Sequence, residues 1–180
     1  MRNFLYQTSL KCLQAASMVL VTCFCLETFA QTITPEKRVL VFSKTAGFRH
    51  SSIPAGRTAI VNLGREKGFA VDTTENAAVF TDKNLQKYSA VIFLNTTGNI
   101  LNDKQQDSFE RYIQAGGGYV GIHAATDTEY EWPWYNKLSG AYFASHPGNP
   151  NVQEGEAYVV NDQHPSMTDF PKKWKIKDEF

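Results

Sequence analysis

Gly116-Gly117-Gly118-Tyr119-Val120-Gly121-Ile122-His123-Ala124-Ala125 carries the strongest fold signal in this chain. Three glycines end one element, and Tyr119 to Ile122 is a short apolar run of the kind that forms a strand buried in a parallel sheet. Small residues at 121 and 125 flank His123 at the spacing of a nucleophile elbow, the sharp strand-to-helix turn that holds one side chain over the sheet edge. Imidazole is a poor substitute for a hydroxyl or thiol nucleophile, but it is a good general base and a common metal ligand. The competing reading is that His123 only hydrogen-bonds backbone at a tight turn.

Upstream lies a well-signed helix. Asn102 is a favourable N-cap with Gln105 three residues on, Asp103 complements the helix dipole, and Phe109, Tyr112 and Ile113 share a face. Further strands are expected at Arg38–Ser43, Phe69–Asp72 and Ser89–Leu94. A helix opened by Pro54 should turn Ala59, Ile60 and Leu63 toward one side and stop at Gly68. Strands alternating with helices imply an α/β fold with a mainly parallel sheet and helices on both faces. Downstream, a short helix is expected near Trp132–Leu138 and strands at Ala157–Val160 and around Trp174 and Ile176. The chain then stops at Asp178-Glu179-Phe180 with no closing helix, so a C-terminally incomplete domain is expected.

The chain has 180 residues, 42% hydrophobic and 20% charged, which suits one ordinary globular domain. Lys+Arg and Asp+Glu are equal, so there is no bulk electrostatic case for a nucleic-acid partner. Residues 1–30 read as a secretory signal: Arg2 and Lys11 precede the apolar stretch Leu13–Leu26, and cleavage is expected near Ala30. A short membrane anchor is the alternative, but the stretch falls short of the roughly 20 apolar residues a spanning helix needs. The expected domains are therefore 1–30, the signal, and 31–180, exported with no stable membrane insertion after cleavage. Cys12, Cys23 and Cys25 all fall within the signal, so the mature chain would hold no disulfide, thiolate ligand or cysteine nucleophile.

In open α/β sheets ligands bind beyond the carboxyl ends of the strands. His50 follows the first expected strand and His123 the fourth; His146 and His164 each precede a proline in a loop. Arg49 is a candidate partner for a carboxylate, and Ser51 or Ser52 could simply cap a helix. Asp127 is placed to orient His123 or take a proton, with turn capping as the alternative. Glu179 is a candidate carboxylate partner, while Glu129 and Glu131 read as solvated surface. Trp132, Trp134 and Tyr135 offer either a platform for a sugar ring or ordinary packing.

From Arg38 to Phe180 the chain resembles ThuA-like domains, named for trehalose utilisation. The resemblance rests on Gly47-Phe48-Arg49-His50, the Gly116–Ala125 segment with Asp127, His146-Pro147, His164-Pro165 and Asp178-Glu179, in that order. It implies a flavodoxin-like fold of the class I glutamine amidotransferase-like group, in which His123 stands where other members carry a cysteine. Cysteine-dependent glutaminase chemistry is thereby excluded. It also implies a link to disaccharide, glycoside or keto-sugar metabolism, and a polar site at His50, His123, His146 and His164 able to bind a metal. Ligands of this kind without thiols fit a divalent ion such as zinc or manganese. Family domains continue past the Asp-Glu segment with more strands.

The expectation is an exported carbohydrate-processing enzyme that takes a small-molecule carbohydrate. His123, Asp127 and Glu179 would be catalytic, and Arg49, His50, Trp132, Trp134 and Tyr135 would bind substrate. The alternative is a non-catalytic sugar-binding module on a fold that has lost its cysteine.

Overall fold

A computed structural model describes residues 37–179. The expected signal and all three cysteines lie outside the described residues. Strand β1 (Arg38–Phe42) leads to helix α1 (Ile53–Lys67) and strand β2 (Ala70–Thr74); a short helix α2 (Asp82–Leu85) precedes β3 (Ala90–Leu94). Helix α3 (Asp103–Gln114) and strand β4 (Gly118–Ile122) follow, then α4 (Pro133–Ser139), β5 (Val152–Tyr158) and β6 (Lys173–Glu179). The first four strands form one sheet in the order β2-β1-β3-β4. Every pairing within it is parallel, as the continuous apolar runs imply. Strands β5 and β6 pair antiparallel in a separate sheet, Val152 opposite Glu179 and Tyr158 opposite Lys173. No helix of the described residues is long and apolar enough to cross a membrane.

Alternation along the strands divides the sheet between two helical layers. Leu40, Phe42, Val91 and Phe93 point into a cluster with Phe80, Phe109, Tyr112 and Tyr135, which brings α3 and α4 onto one face. Phe93 is its hub, its ring stacked on Phe109 at 5.3 Å and on Tyr135 at 5.7 Å. Helix α3 begins as expected, with a complete capping box between Asn102 and Gln105.

Helix α1 covers the other face, and of the expected contact residues Ile60 is half-buried while Ala59 and Leu63 are not. Ala59 is exposed and Leu63 is 46% exposed. The sheet side carries Ile53, Gly56 and Gly64 instead; a Cβ on Gly56 would meet Leu94 at 2.9 Å, and one on Gly64 would meet Val71 at 2.5 Å. Glycines let the helix backbone approach the strands closely, so its buried stripe mixes isoleucines with glycines. The expected strand at 157–160 also shifts: β5 runs Val152–Tyr158, and Val160 lies beyond it at 99% exposure.

Glu129 overturns its reading as a solvated surface residue, for it is 1% exposed. One oxygen accepts the Ile100 and Leu101 amides at 2.7 and 2.8 Å, and the other accepts the Gln106 side chain at 2.6 Å. A buried carboxylate is tolerable because three donors replace its water. It pins the chain after β4 to the entry of α3.

Two stability predictions follow from this packing. Replacing Gly64 by Ala should gain about 1 kcal/mol of helix propensity. The new methyl would also meet the Phe69 carbonyl oxygen at 2.7 Å, and backbone cannot rotate away. Overpacking of that kind costs about 1–3 kcal/mol, so the denaturant midpoint of Gly64→Ala should fall. Glu129→Ala strands two buried amides and opens a cavity, and should cost on the order of 3 kcal/mol. Glu129→Gln, which keeps an acceptor for both amides, should melt closer to wild type.

Candidate functional site

Two loops from different strands are brought together by the segment that leaves β3. Thr97 is fully buried; its carbonyl accepts the Ala46 amide at 2.7 Å, and its hydroxyl donates to the Phe48 carbonyl at 2.8 Å. Gly47 N–H in turn donates to the same hydroxyl at 3.3 Å. The β1 exit loop is thereby laid across the sheet edge with Phe48 and His50 over it. Asn95, at φ 51°, donates from its side chain to the Ser52 hydroxyl at 3.0 Å. Ser52 stands at the N-cap of α1 but makes no side-chain cap there, so its hydroxyl serves this tie instead.

His123 follows β4 directly and has φ 51°, a left-handed conformation uncommon for a residue with a Cβ. A nucleophile elbow imposes such a turn, and the neighbouring small residues explain how it closes. A Cβ on Gly121 would meet the Tyr119 hydroxyl at 2.7 Å and the Ala125 Cβ at 3.2 Å. Beneath the turn the Tyr135 hydroxyl donates to the Ala125 carbonyl at 2.7 Å and shares a 2.8 Å hydrogen bond with Tyr119. Burial pushes the Tyr135 hydroxyl far above its ordinary pKa, so it stays a donor at any working pH.

The rings of His50 and His123 meet edge to face, centroids 4.7 Å apart, and Phe48 packs edge-on against His50 at 4.8 Å. Both imidazoles line a cleft of about 580 Å³ that also takes in Asp127, Phe143 and His146. Asp127 accepts the Tyr130 hydroxyl at 2.6 Å, and that hydroxyl also lies 2.9 Å from the Phe143 carbonyl. Burial, followed by the hydrogen bond to Asp127 and that residue's charge, pushes Tyr130 up to about 12. The Phe143 amide donates to Thr126 at 2.9 Å, so the far wall of the cleft is tied to the elbow itself.

Of the residues singled out from sequence, His50, His123, Asp127 and His146 line this cleft, while Arg49, Trp132, Trp134, Tyr135 and His164 do not. Arg49 turns away to pair with Glu75 at 2.9 and 3.0 Å, where Arg57 also binds that carboxylate. His164 bonds the Ser166 hydroxyl at 2.7 Å in the loop between β5 and β6, and Glu179 ends β6. Tyr135 is fully buried, and Trp132 and Trp134, stacked at 5.0 Å, pack against the same core cluster. Of the two readings, ordinary packing describes Tyr135, while Trp132 and Trp134 are partly buried beside it and do not line the cleft. The aromatic surface in the cleft comes from Phe48, 71% exposed, and Phe143, 38% exposed. Their adjacency to His50 and His146 in sequence was the available signal. Among the described residues no three His, Cys, Asp or Glu side chains form a group that could hold a metal ion. The four-histidine ligand set is therefore not gathered.

The ThuA family model, described as trehalose utilisation, matches residues 38–180. A ThuA-like protein from Bacteroides uniformis shares the fold with a TM-score of 0.68 at 26% identity, over 82% of this chain and 60% of that one. A second, from Parabacteroides merdae, has a TM-score of 0.63 at 18% identity, over 80% of this chain and 62% of that one. The chain thus spans about 60% of the length of these relatives. No curated protein matches it. With the model covering everything from β1 onward and the elbow occupied by His123, the chain belongs to the ThuA family.

Proposed function

We propose that this protein is an exported carbohydrate-processing enzyme acting on a disaccharide, glycoside or keto-sugar, with His123 as its general base. The observation that carries the reading is the His50–His123 pair, 4.7 Å apart over the carboxyl edge of the sheet in a cleft of about 580 Å³. A cleft of that size accommodates one or two sugar rings. His123 would take a proton from a sugar hydroxyl or from a carbon beside a carbonyl, and His50 would polarise the oxygen that gains charge. Phe48 and Phe143 supply apolar faces against which the C–H face of a sugar packs. Asp127, engaged by Tyr130, holds the Phe143 wall rather than the His123 ring. Export rests on residues 1–30, and the link to sugars on the family's description. A divalent ion at the histidines is not fitted by the described side chains, so the chemistry is assigned to imidazole.

A non-catalytic sugar-binding module is the second reading, favoured by the absence of any cysteine after Cys25. Screening disaccharides and keto-sugars separates the two. On a turned-over substrate, His123→Ala should lower kcat by about 10²–10⁴-fold. Phe48→Ala should raise KM with kcat little changed, as expected when binding is lost equally from ground and transition states. Unchanged turnover in His123→Ala would sink the assigned base, and saturable sugar binding without turnover would establish the module. Chelator treatment should leave activity intact; loss restored by zinc or manganese would replace imidazole chemistry with metal-assisted chemistry.

A further inference from the structure

A second cavity opens on the same edge of the sheet and shares no lining residue with the histidine cleft. It measures about 490 Å³ and lies among residues that follow β1, β2 and β3: Lys44, Glu75, Asn76 and Asn99 to Asn102, with Gln105 from α3. The strand order β2-β1-β3-β4 places the topological switch point between β1 and β3, because the chain leaves β1 toward one edge and β3 toward the other. Crevices at such points are where open parallel sheets bind ligands.

Two charged side chains line this cavity, and their situations differ. Glu75 is gripped by the Arg49 and Arg57 guanidiniums, Arg49 foremost in holding its carboxyl below the usual range, so it remains ionised and compensated. Lys44 donates to the Ile100 carbonyl at 2.8 Å, which uses one of its three ammonium hydrogens. The start of α3 contributes little, because Glu129 takes the Ile100 and Leu101 amides and the capping box takes those of Asn102 and Gln105. Arg49 and Arg57, outside the lining, offset the Glu75 carboxylate, and Glu129 is buried behind Ile100 and Leu101 with its oxygens taken by three donors. Lys44 is thus the cation among the lining residues, with donors to spare.

We infer that this cavity is a binding site for a small metabolite bearing an oxyanion, held by the Lys44 ammonium together with the exposed Asn99 amide of the same lining. A lysine acts as a point charge without the planar fork of arginine, so carboxylate and phosphate are both accommodated. The inference is independent of the chemistry assigned to His123.

Nuclear magnetic resonance of the full-length chain tests it, titrating sodium acetate and, separately, sodium phosphate at ionic strength held constant with chloride. Saturable shifts should appear at the Lys44 side chain and the Asn99 amide, while resonances of His50 and His123 stay still. Acetate saturation identifies a carboxylate site and phosphate saturation a phosphate-ester site; saturation by neither overturns the inference. Binding should weaken about tenfold or more in Lys44→Met, the cost of losing a hydrogen bond to a charged group. Should Lys44→Met fail to fold, Asn99→Asp decides, since it adds a repelling charge at an exposed lip and should weaken binding to a similar degree. Affinity unchanged in the folded variant, or shifts centred on the histidine cleft, would also overturn it.

Discussion

The functional edge of this protein depends on the hydrogen bonds made in both directions by the segment that leaves β3. Thr97 holds the β1 exit loop through Ala46, Gly47 and Phe48. One residue on, the Gly98 amide donates to the Asp127 carbonyl at 2.7 Å, and the Gly98 carbonyl accepts from Glu129 at 3.2 Å. Thr96 and Thr128, both fully buried, join their hydroxyls at 2.9 Å across the same gap. A central strand thus reaches past its last ladder bond to fix loops on either side. Because Thr96, Thr97 and Thr128 are fully buried, losing a partner leaves a buried polar group unsatisfied, which couples these bonds to one another.

That cooperativity explains how the elbow can hold His123 in a left-handed conformation. Such a residue costs on the order of 1–3 kcal/mol and persists only where its surroundings over-determine it. Here the surroundings are the Tyr119–Tyr135 hydroxyl pair below, buried Ala124 and Ala125 alongside, and the Gly98 clamp on Asp127. The aromatic cluster under the sheet is therefore part of the site's architecture without touching the cleft. Glu129 plays a matching part on the α3 side, where one buried carboxylate joins the chain after the elbow to the helix that packs beneath it.

The two cavities divide the carboxyl edge by chemistry. One presents imidazoles and Asp127 between exposed phenylalanines; the other presents the Lys44 ammonium and the arginine-bound Glu75 among amides. Lys44 and His50 face different cavities from a single loop, and Thr97 fixes the stretch between them.

By itself the sequence determined the parallel α/β sheet, the capping box of α3, the glycine ends of α1 and α3, and the elbow at His123. These are local signals: apolar runs, cap residues and small-residue spacing act within a few positions of the backbone they shape. The pairing of His50 with His123 was legible only as shared membership of one sheet edge; bringing the rings to 4.7 Å required the Thr97 tie, which no local pattern encodes. Only the tertiary structure decided that Gly56 and Gly64, not Ala59 and Leu63, face the sheet, because close backbone approach puts glycine where an apolar residue would mark the stripe. It alone decided that Glu129 is buried while Arg49 is diverted to Glu75, and that Tyr135 belongs to the core while Phe48 and Phe143 meet the cleft. A residue's type sets what it can do, and the packing of distant segments sets whether water or protein surrounds it.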